Sequence, residues 1–283
     1  MALALLIEGT FHWGFSVRMI SESAAANPYP VPPPSTLVGA LAYGCAIVKR
    51  FSECYLEKNK KYSTAAKLVK YILWSTFSLK GNNVCLTSYS DMLRMFSLPY
   101  QRGARHEPKY RDMWFGVRAH GKVYYPNGGF GILYLLDDGI IEFLGGEDIL
   151  LRAASHIVRL GSREGLVSIS NISLSSSISV VNPPIRTSFY FPKKLVKVLD
   201  RENVTLVTLP VFSKDLYLAE RITALPGMHE EYYVPLAVPA FWLPGDVEVR
   251  VLNDEGAALK IDFGDNRQIN LIVPKRVAKL AGV

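Results

Sequence analysis

The chain has 283 residues, 49% of them hydrophobic, and a formal net charge of +7. That composition excludes an intrinsically disordered chain, leaves ample material for two compact domains, and favours a polyanionic partner if the charge is concentrated in one place. Its wholly apolar runs, such as residues 2–7, are far shorter than a bilayer-spanning helix needs, so no membrane is expected as a partner.

Residues 3–11 form a continuous apolar run of strand length, as a central strand covered on both faces would. The run at the N-terminus lacks a basic flank and a cleavage site, so it reads as strand and not as a signal peptide. His12, Trp13, Phe15 and Arg18 follow at its end. An imidazole, aromatic rings and a guanidinium suit stacking on a base and hydrogen-bonding it; the same residues also describe a strand end tucked beneath a loop. Residues 27–34 (Asn-Pro-Tyr-Pro-Val-Pro-Pro-Pro) are stiff and extended, and aim the chain into a helix for which Ser35 is the expected N-cap. Free N–H groups at Ser35 and Thr36 would suit a phosphate, or else mark a helix start without a ligand. Gly39, Ala40 and Gly44 allow that helix to approach a sheet closely.

Residues 62–79 carry Ala65, Ala66, Leu68, Val69, Ile72, Leu73 and Phe77 at helical spacing and predict a second helix, with Lys58, Lys60 and Lys61 in a solvated connector before it. A short strand is expected around Val84 and Leu86, and a further helical turn or two over residues 91–96. Residues 94–122 then hold seven basic side chains (Arg94, Arg102, Arg105, Lys109, Arg111, Arg118, Lys122) against Glu107 and Asp112, which is five of the seven net charges. Tyr100, Tyr110, Trp114, Phe115, Tyr124 and Tyr125 interleave with them. Cations with interspersed aromatics track a phosphate backbone and offer bases a surface; the plainer alternative is a charged surface excursion.

Residues 130–136 read as a strand, Asp137-Asp138-Gly139 as a hairpin turn and residues 140–144 as the returning strand. No histidine or cysteine stands at ligand spacing to that aspartate pair, nor do His106, His120, His156 and His229 show metal-ligand spacing. With neither a phosphate-binding Walker loop nor a dinucleotide fingerprint, no metal and no cofactor is expected. Three cysteines (Cys45, Cys54, Cys85) form no CxxC pair and leave one over, which fits a reducing, cytoplasmic setting. Residues 147–157 predict an amphipathic helix with Glu147 and Asp148 in its first turn and Gly161 at its stop. The loop Gly161-Ser162-Arg163-Glu164-Gly165 follows, then a strand from Leu166. Two glycines let the backbone come close to a ligand and Arg163 adds a planar donor fork for phosphate; the alternative is a helix cap followed by a tight turn. Beyond residue 170, Ser-rich residues 172–179, Pro183-Pro184 and many short β-like runs mark a β-rich C-terminal domain over 171–283.

Assembled, residues 1–170 read as an α+β, ferredoxin-like (RRM-like) βαββαβ domain with a basic insertion after the second strand, a kind of sheet that presents an exposed face to single-stranded RNA.

Four segments carry a family resemblance: Thr10-Phe11-His12-Trp13-Gly14-Phe15, the entry Pro32-Pro33-Pro34-Ser35-Thr36-Leu37-Val38-Gly39-Ala40-Leu41, the loop Leu160-Gly161-Ser162-Arg163-Glu164-Gly165, and the basic insertion. On these the chain resembles the fifth family of CRISPR-associated (Cas) proteins in the RAMP superfamily, most of all its archaeal type I-A members. The resemblance implies a subunit of the antiviral Cascade surveillance complex that binds the 5′ handle of the CRISPR RNA, caps the backbone filament, and contacts the filament and large subunits. It makes residues 98–125 a thumb, with Arg102, Arg105, Lys109, Arg111 and Trp114 toward RNA. It places Gly161, Ser162, Arg163 and Gly165 near the handle, with Ser35 and Thr36 beside them. Some relatives cleave precursor RNA without a metal, for which His12, Tyr29 and Lys109 are the candidates here. The expectation is a non-catalytic RNA-binding subunit, with a metal-independent endoribonuclease and a protein-only scaffold as alternatives.

Overall fold

Strand β1 (Ala2–Phe11) is apolar on both sides because it is covered on both sides. The computed structural model describes residues 2–19, 27–81, 86–96, 115–218, 228–237, 243–252, 255–264 and 266–283. After β1 come β2 (Gly14–Phe15), α1 (Pro34–Lys49), the hairpin β3 (Cys54–Glu57) and β4 (Lys60–Ser63), α2 (Ala65–Leu68) and β5 (Ile72–Lys80). Next are β6 (Thr87–Phe96), β7 (Phe115–Tyr124), β8 (Gly129–Asp137), α3 (Gly139–Leu144), α4 (Glu147–Ser155) and β9 (Val167–Ser175).

The central sheet has the order β5-β8-β1-β9, each neighbouring pair antiparallel. Leu5 lies opposite Tyr134 and Ile7 opposite Ile132, on the face toward α1, where the Tyr134 hydroxyl donates to the Leu37 carbonyl at 2.7 Å. Ala4 opposite Leu135 and Leu6 opposite Leu133 point the other way and are equally buried. Each such side chain removed from water contributes about 1.5–3 kcal/mol.

That second face is covered by the C-terminal part. It comprises β10 (Ile178–Val180), β11 (Ile185–Thr187), β12 (Phe191–Pro192), β13 (Val196–Val198), β14 (Val204–Pro210), β15 (His229–Ala237), β16 (Leu243–Pro244), β17 (Val247–Val251), β18 (Gly256–Asp262), β19 (Gln268–Pro274) and α5 (Lys275–Ala281). The Thr76 hydroxyl donates to the Tyr190 carbonyl at 2.7 Å across this seam, and α5 packs against β1, β5 and β8. The sheet face expected to be open to RNA is therefore covered over β1, β5 and β8, and exposed side chains remain only toward the β9 edge, at Thr10, Ser168, Ser170 and Asn171. β9 carries on to Ser175, and one continuous core includes Leu6 and Leu133 as well as Tyr190, Tyr232, Leu259 and Val277. A smaller core around Phe191, Val249 and Ile272 belongs to the C-terminal part alone.

The mixed α+β class and the strands expected beyond residue 200 are present, together with α5, which the sequence reading missed. Several expected helices are not. Of residues 62–79 only Ala65–Leu68 and one tight turn at Val69–Tyr71 are helical, and Ile72–Lys80 is strand. A strand buried on both faces shows no period-2 alternation, so its apolar residues match a helical template by accident. Residues 91–96 belong to β6, held by ladder pairing to β7 from Thr87↔Tyr124 to Phe96↔Phe115. The supposed turn at Asp137–Gly139 starts α3 instead: the Asp137 carboxylate accepts the Gly139 N–H at 2.9 Å, and Ile140 and Leu144, four apart, are both buried. The lysines before α2 are not a plain connector, since Lys60 and Lys61 lie in β4 and Lys58 at the hairpin turn.

Helix α1 begins at Pro34 with Pro33 as N-cap, and not at Ser35. Pro34 has no N–H, while those of Thr36 and Leu37 both donate to the Pro33 carbonyl (2.9 and 3.2 Å), so the free donors expected for a phosphate are largely gone. Gly44 serves a close contact with α4 and not with the sheet: a Cβ there would stand 1.9 Å from the Ala153 carbonyl oxygen, whereas one at Gly39 would meet nothing within 4 Å. Gly44→Ala is expected to destabilise by about 1–3 kcal/mol through overpacking, and Gly39→Ala to stabilise by up to about 1 kcal/mol through helix propensity. Urea unfolding of the two variants separates these outcomes; equal midpoints would contradict the α1/α4 contact.

Candidate nucleic-acid interface

Past Phe11 the chain leaves the central sheet and runs between two other elements. The N–H of His12 donates to the Leu166 carbonyl at 3.1 Å, and the Trp13 carbonyl accepts the Tyr125 N–H at 2.7 Å. Gly14 and Phe15 pair with Tyr124 and Val123 at the foot of the β6/β7 ladder. The Ser16 hydroxyl donates to the Gly121 carbonyl at 2.8 Å, while its own carbonyl accepts the Ser162 N–H at 3.0 Å. Residues 12–16 are thus clamped between the base of the basic arm and the glycine loop.

The loop closes on itself. Leu160 N–H donates to the Gly165 carbonyl (2.8 Å), Gly165 N–H to the Ser162 carbonyl (3.1 Å), and Arg159 bridges to Leu166. The two residues at the centre of that turn, Arg163 and Glu164, keep backbone N–H groups without an acceptor among the described residues. Gly161 is not the helix stop. α4 ends at Ser155, and Gly161 lies farther on with φ +83°, where a Cβ would meet Val17 and the Ser16 carbonyl at 2.5 and 2.7 Å.

Charge around the loop is partly matched. Lys122 pairs with Glu164 at 3.3 Å and lies 5.8 Å over the Trp13 ring, and the Trp13 indole N–H donates to the Glu164 carbonyl. Arg159 stacks over Tyr43 at 5.3 Å. Arg163 is exposed and has no ion-pair partner among the described residues. His12 is exposed with its Nε2 3.0 Å from the Ser168 hydroxyl, and Tyr124 and Leu166 are each about half exposed nearby. Ser168 is the member of this surface that sequence reasoning did not name, while Lys122 and Tyr124 were counted with the basic, aromatic segment and Glu164 with the loop. Lys122 and Glu164 are 42 positions apart, and only the fold joins them.

Of the predicted residues, the structure brings together His12, Trp13, Gly161, Ser162, Arg163 and Gly165, with Arg18 exposed just beyond on the same segment. It does not bring Ser35 or Thr36 to the loop. The Ser35 carbonyl accepts the Tyr217 hydroxyl at 2.8 Å, and Thr36 is tied to Pro33. Tyr29, at 3% exposure, is in the core and not at a reactive surface. Arg102, Arg105, Lys109, Arg111 and Trp114 lie outside the described residues, between β6 and β7. Cys45 is buried, which pushes its thiol up to about 12, so it is inert as a nucleophile; Cys54 is a free thiol as well, and Cys85 is outside the described residues. Among the described residues no group of three or more potential ligands gathers to hold a metal, and no helix is long and apolar enough to cross a membrane.

No family model matches the chain. It is 31% identical over 260 residues to the CRISPR-associated protein Cas5 2 of Saccharolobus solfataricus, covering 91% of each chain. It is also 31% identical to the CRISPR system aCascade subunit Cas5 1 of the same organism, over 68% of this chain and 72% of that one. Its fold is similar to that of a CRISPR protein from Archaeoglobus fulgidus, with a TM-score of 0.56 at 18% identity over 95% of this chain and 98% of that one.

Because Arg163 touches nothing that holds the loop, Arg163→Ala is expected to change stability by less than about 0.5 kcal/mol. Gly161→Val, at a positive φ and against Val17, should cost about 1–3 kcal/mol. Thermal unfolding of both variants checks the pair, and a marked drop for Arg163→Ala would mean the side chain braces the turn.

Proposed function

The chain belongs to the Cas5 family of CRISPR-associated proteins, and from that premise we propose that it is a subunit of a cytoplasmic type I-A Cascade complex. In this reading it holds the 5′ handle of the CRISPR RNA, caps the backbone filament and contacts the filament and large subunits. The observation that carries it is the closed loop at residues 159–166, which presents the Arg163 guanidinium and two backbone N–H groups, all without partners among the described residues, beside the foot of the β6/β7 ladder. Fixed backbone donors and a planar guanidinium together suit a phosphate group, and exposed Tyr124 and His12 offer stacking partners for a base. We read the sheet order β5-β8-β1-β9, with α1 and α4 on one face, as ferredoxin-like. With the other face covered, RNA is assigned to the end of the sheet where β1 stops, and the thumb is taken as the β6/β7 arm together with the residues between its strands.

The role is proposed as non-catalytic. General acid–base cleavage of RNA needs at least two titratable groups within reach of one 2′-hydroxyl and its phosphate. Tyr29 is buried, which supports the non-catalytic reading, and Lys109 lies outside the described residues.

Four measurements bear on the proposal. RNA affinity should fall steeply with salt, with a shallower slope once thumb arginines are replaced by alanine. Arg163→Ala should weaken handle binding by roughly 1–3 kcal/mol, the size of a charge-assisted contact. Affinity indifferent to the handle sequence would favour a protein-only scaffold. Incubation with repeat RNA in EDTA should give no discrete product; a product that disappears in His12→Ala would make the protein a metal-independent endoribonuclease.

A further inference from the structure

A cleft of about 1060 Å³ lies at the β5 edge of the central sheet, the edge opposite β9, between β5, β15 and α5. Much of its wall is apolar, with Leu73, Phe212, Tyr232 and Val277 among the lining residues. Trp74, also in the wall, follows an irregularity in the pairing of β5 with β8 and is only 7% exposed. Its indole Nε1–H has no hydrogen-bond acceptor among the described residues. A buried donor is destabilising until something meets it, and buried donors in proteins are almost always met.

Most of the polar lining is charged. Lys70, Lys194, Lys275 and Arg276 stand against Glu230 and Glu255. Lys194 is engaged by Glu230 at 2.6 Å, while Lys70 lies over the Tyr71 ring at 4.5 Å and Arg276 is exposed. Neither Lys70 nor Arg276 has a carboxylate partner among the described residues. The cleft therefore combines an apolar wall, a Trp74 donor unmet among the described residues, a largely buried Glu230 carboxylate whose charge Lys194 offsets, and an excess of positive charge.

We propose that this cleft is a nucleotide-binding site, separate from the glycine loop. A nucleotide carries in one molecule the three features the cleft answers. Its flat base packs on the apolar wall, a carbonyl oxygen or ring nitrogen of the base accepts the Trp74 N–H, and its phosphate meets Lys70 and Arg276. The nucleotide is either free or the phosphate-bearing end of a strand, since both present the same groups.

Isothermal titration of the full chain with UMP, CMP, AMP and GMP, with the 5′-phosphorylated dinucleotide pUpU, and with inorganic phosphate tests the site. At least one mononucleotide should bind saturably, and inorganic phosphate at least about tenfold more weakly, because it lacks the base. Trp74→Phe keeps the ring but loses the N–H, and should weaken nucleotide binding about tenfold. Arg276→Ala, at an exposed position without a carboxylate partner among the described residues, should weaken it as well and serves if Trp74→Phe is unstable. Tighter binding of pUpU than of UMP assigns the site to a strand end, and equal binding to a free nucleotide. No saturable binding, phosphate binding as tightly as the nucleotides, or unchanged affinity in both variants would overturn the proposal. Arg163→Ala should leave this affinity intact, so the cleft and the loop stand or fall separately.

Discussion

Burial of the central sheet on both faces is the constraint from which the rest follows. Leu5, Ile7 and Tyr134 meet the helices, and Ala4, Leu6, Leu133 and Leu135 meet the C-terminal part, all fully enclosed. The ladder satisfies the backbone of β1 and β8, which is what allows both strands to be so apolar. Over β1, β5 and β8 a sheet sealed in this way has no face to offer a ligand, and only the β9 edge keeps exposed side chains. Function is left to its ends and edges, and both sites described above are there: the loop where β1 stops, and the cleft along the open edge of β5.

One charged joint interrupts the apolar seam. Glu8, on the face toward the C-terminal part, forms ion pairs with Lys80 at the end of β5 and Arg267 just ahead of β19, and accepts from Asn171 of β9 at 3.2 Å. Burial pulls the Lys80 ammonium below its usual range. A carboxylate largely withdrawn from water is tolerated only with such donors around it, and these come from three separate parts of the chain. The pairing of β1 with β9 also shifts register between Glu8 and Gly9, which changes the direction of the strand just before it leaves the sheet. Together these features fix where residues 12–16 emerge, and so how the loop and the arm are brought together.

Candidate site residues were legible where chemistry sits in a short run. His12, Trp13 and the Gly161–Gly165 stretch each stand out locally, and the fold places them side by side. The pairing of Lys122 with Glu164 does not stand out, because it depends on β7 and the loop lying on either side of one segment. Ser35 and Thr36 read as a phosphate site on local rules alone; the prolines before them already use or remove the donors that rule relies on. Residues 72–80 and 140–144 exchanged helix for strand, in opposite directions, for one reason: a short apolar run carries too little periodicity to identify its element until its neighbours are known.

By itself, the sequence determined the apolar core strands β1 and β8, the helix entered through prolines, the concentration of charge in residues 94–122 and the glycine-bounded loop, because each depends on side chains close together in the chain. Tertiary structure alone decided that β1, β5 and β8 are covered on both faces, that β6 is a strand, that Gly44 serves α4, and that Trp74 lines a charged cleft with its N–H unmet among the described residues. Each of these depends on what a distant segment covers, and burial on both faces leaves no periodic trace in the residues it buries.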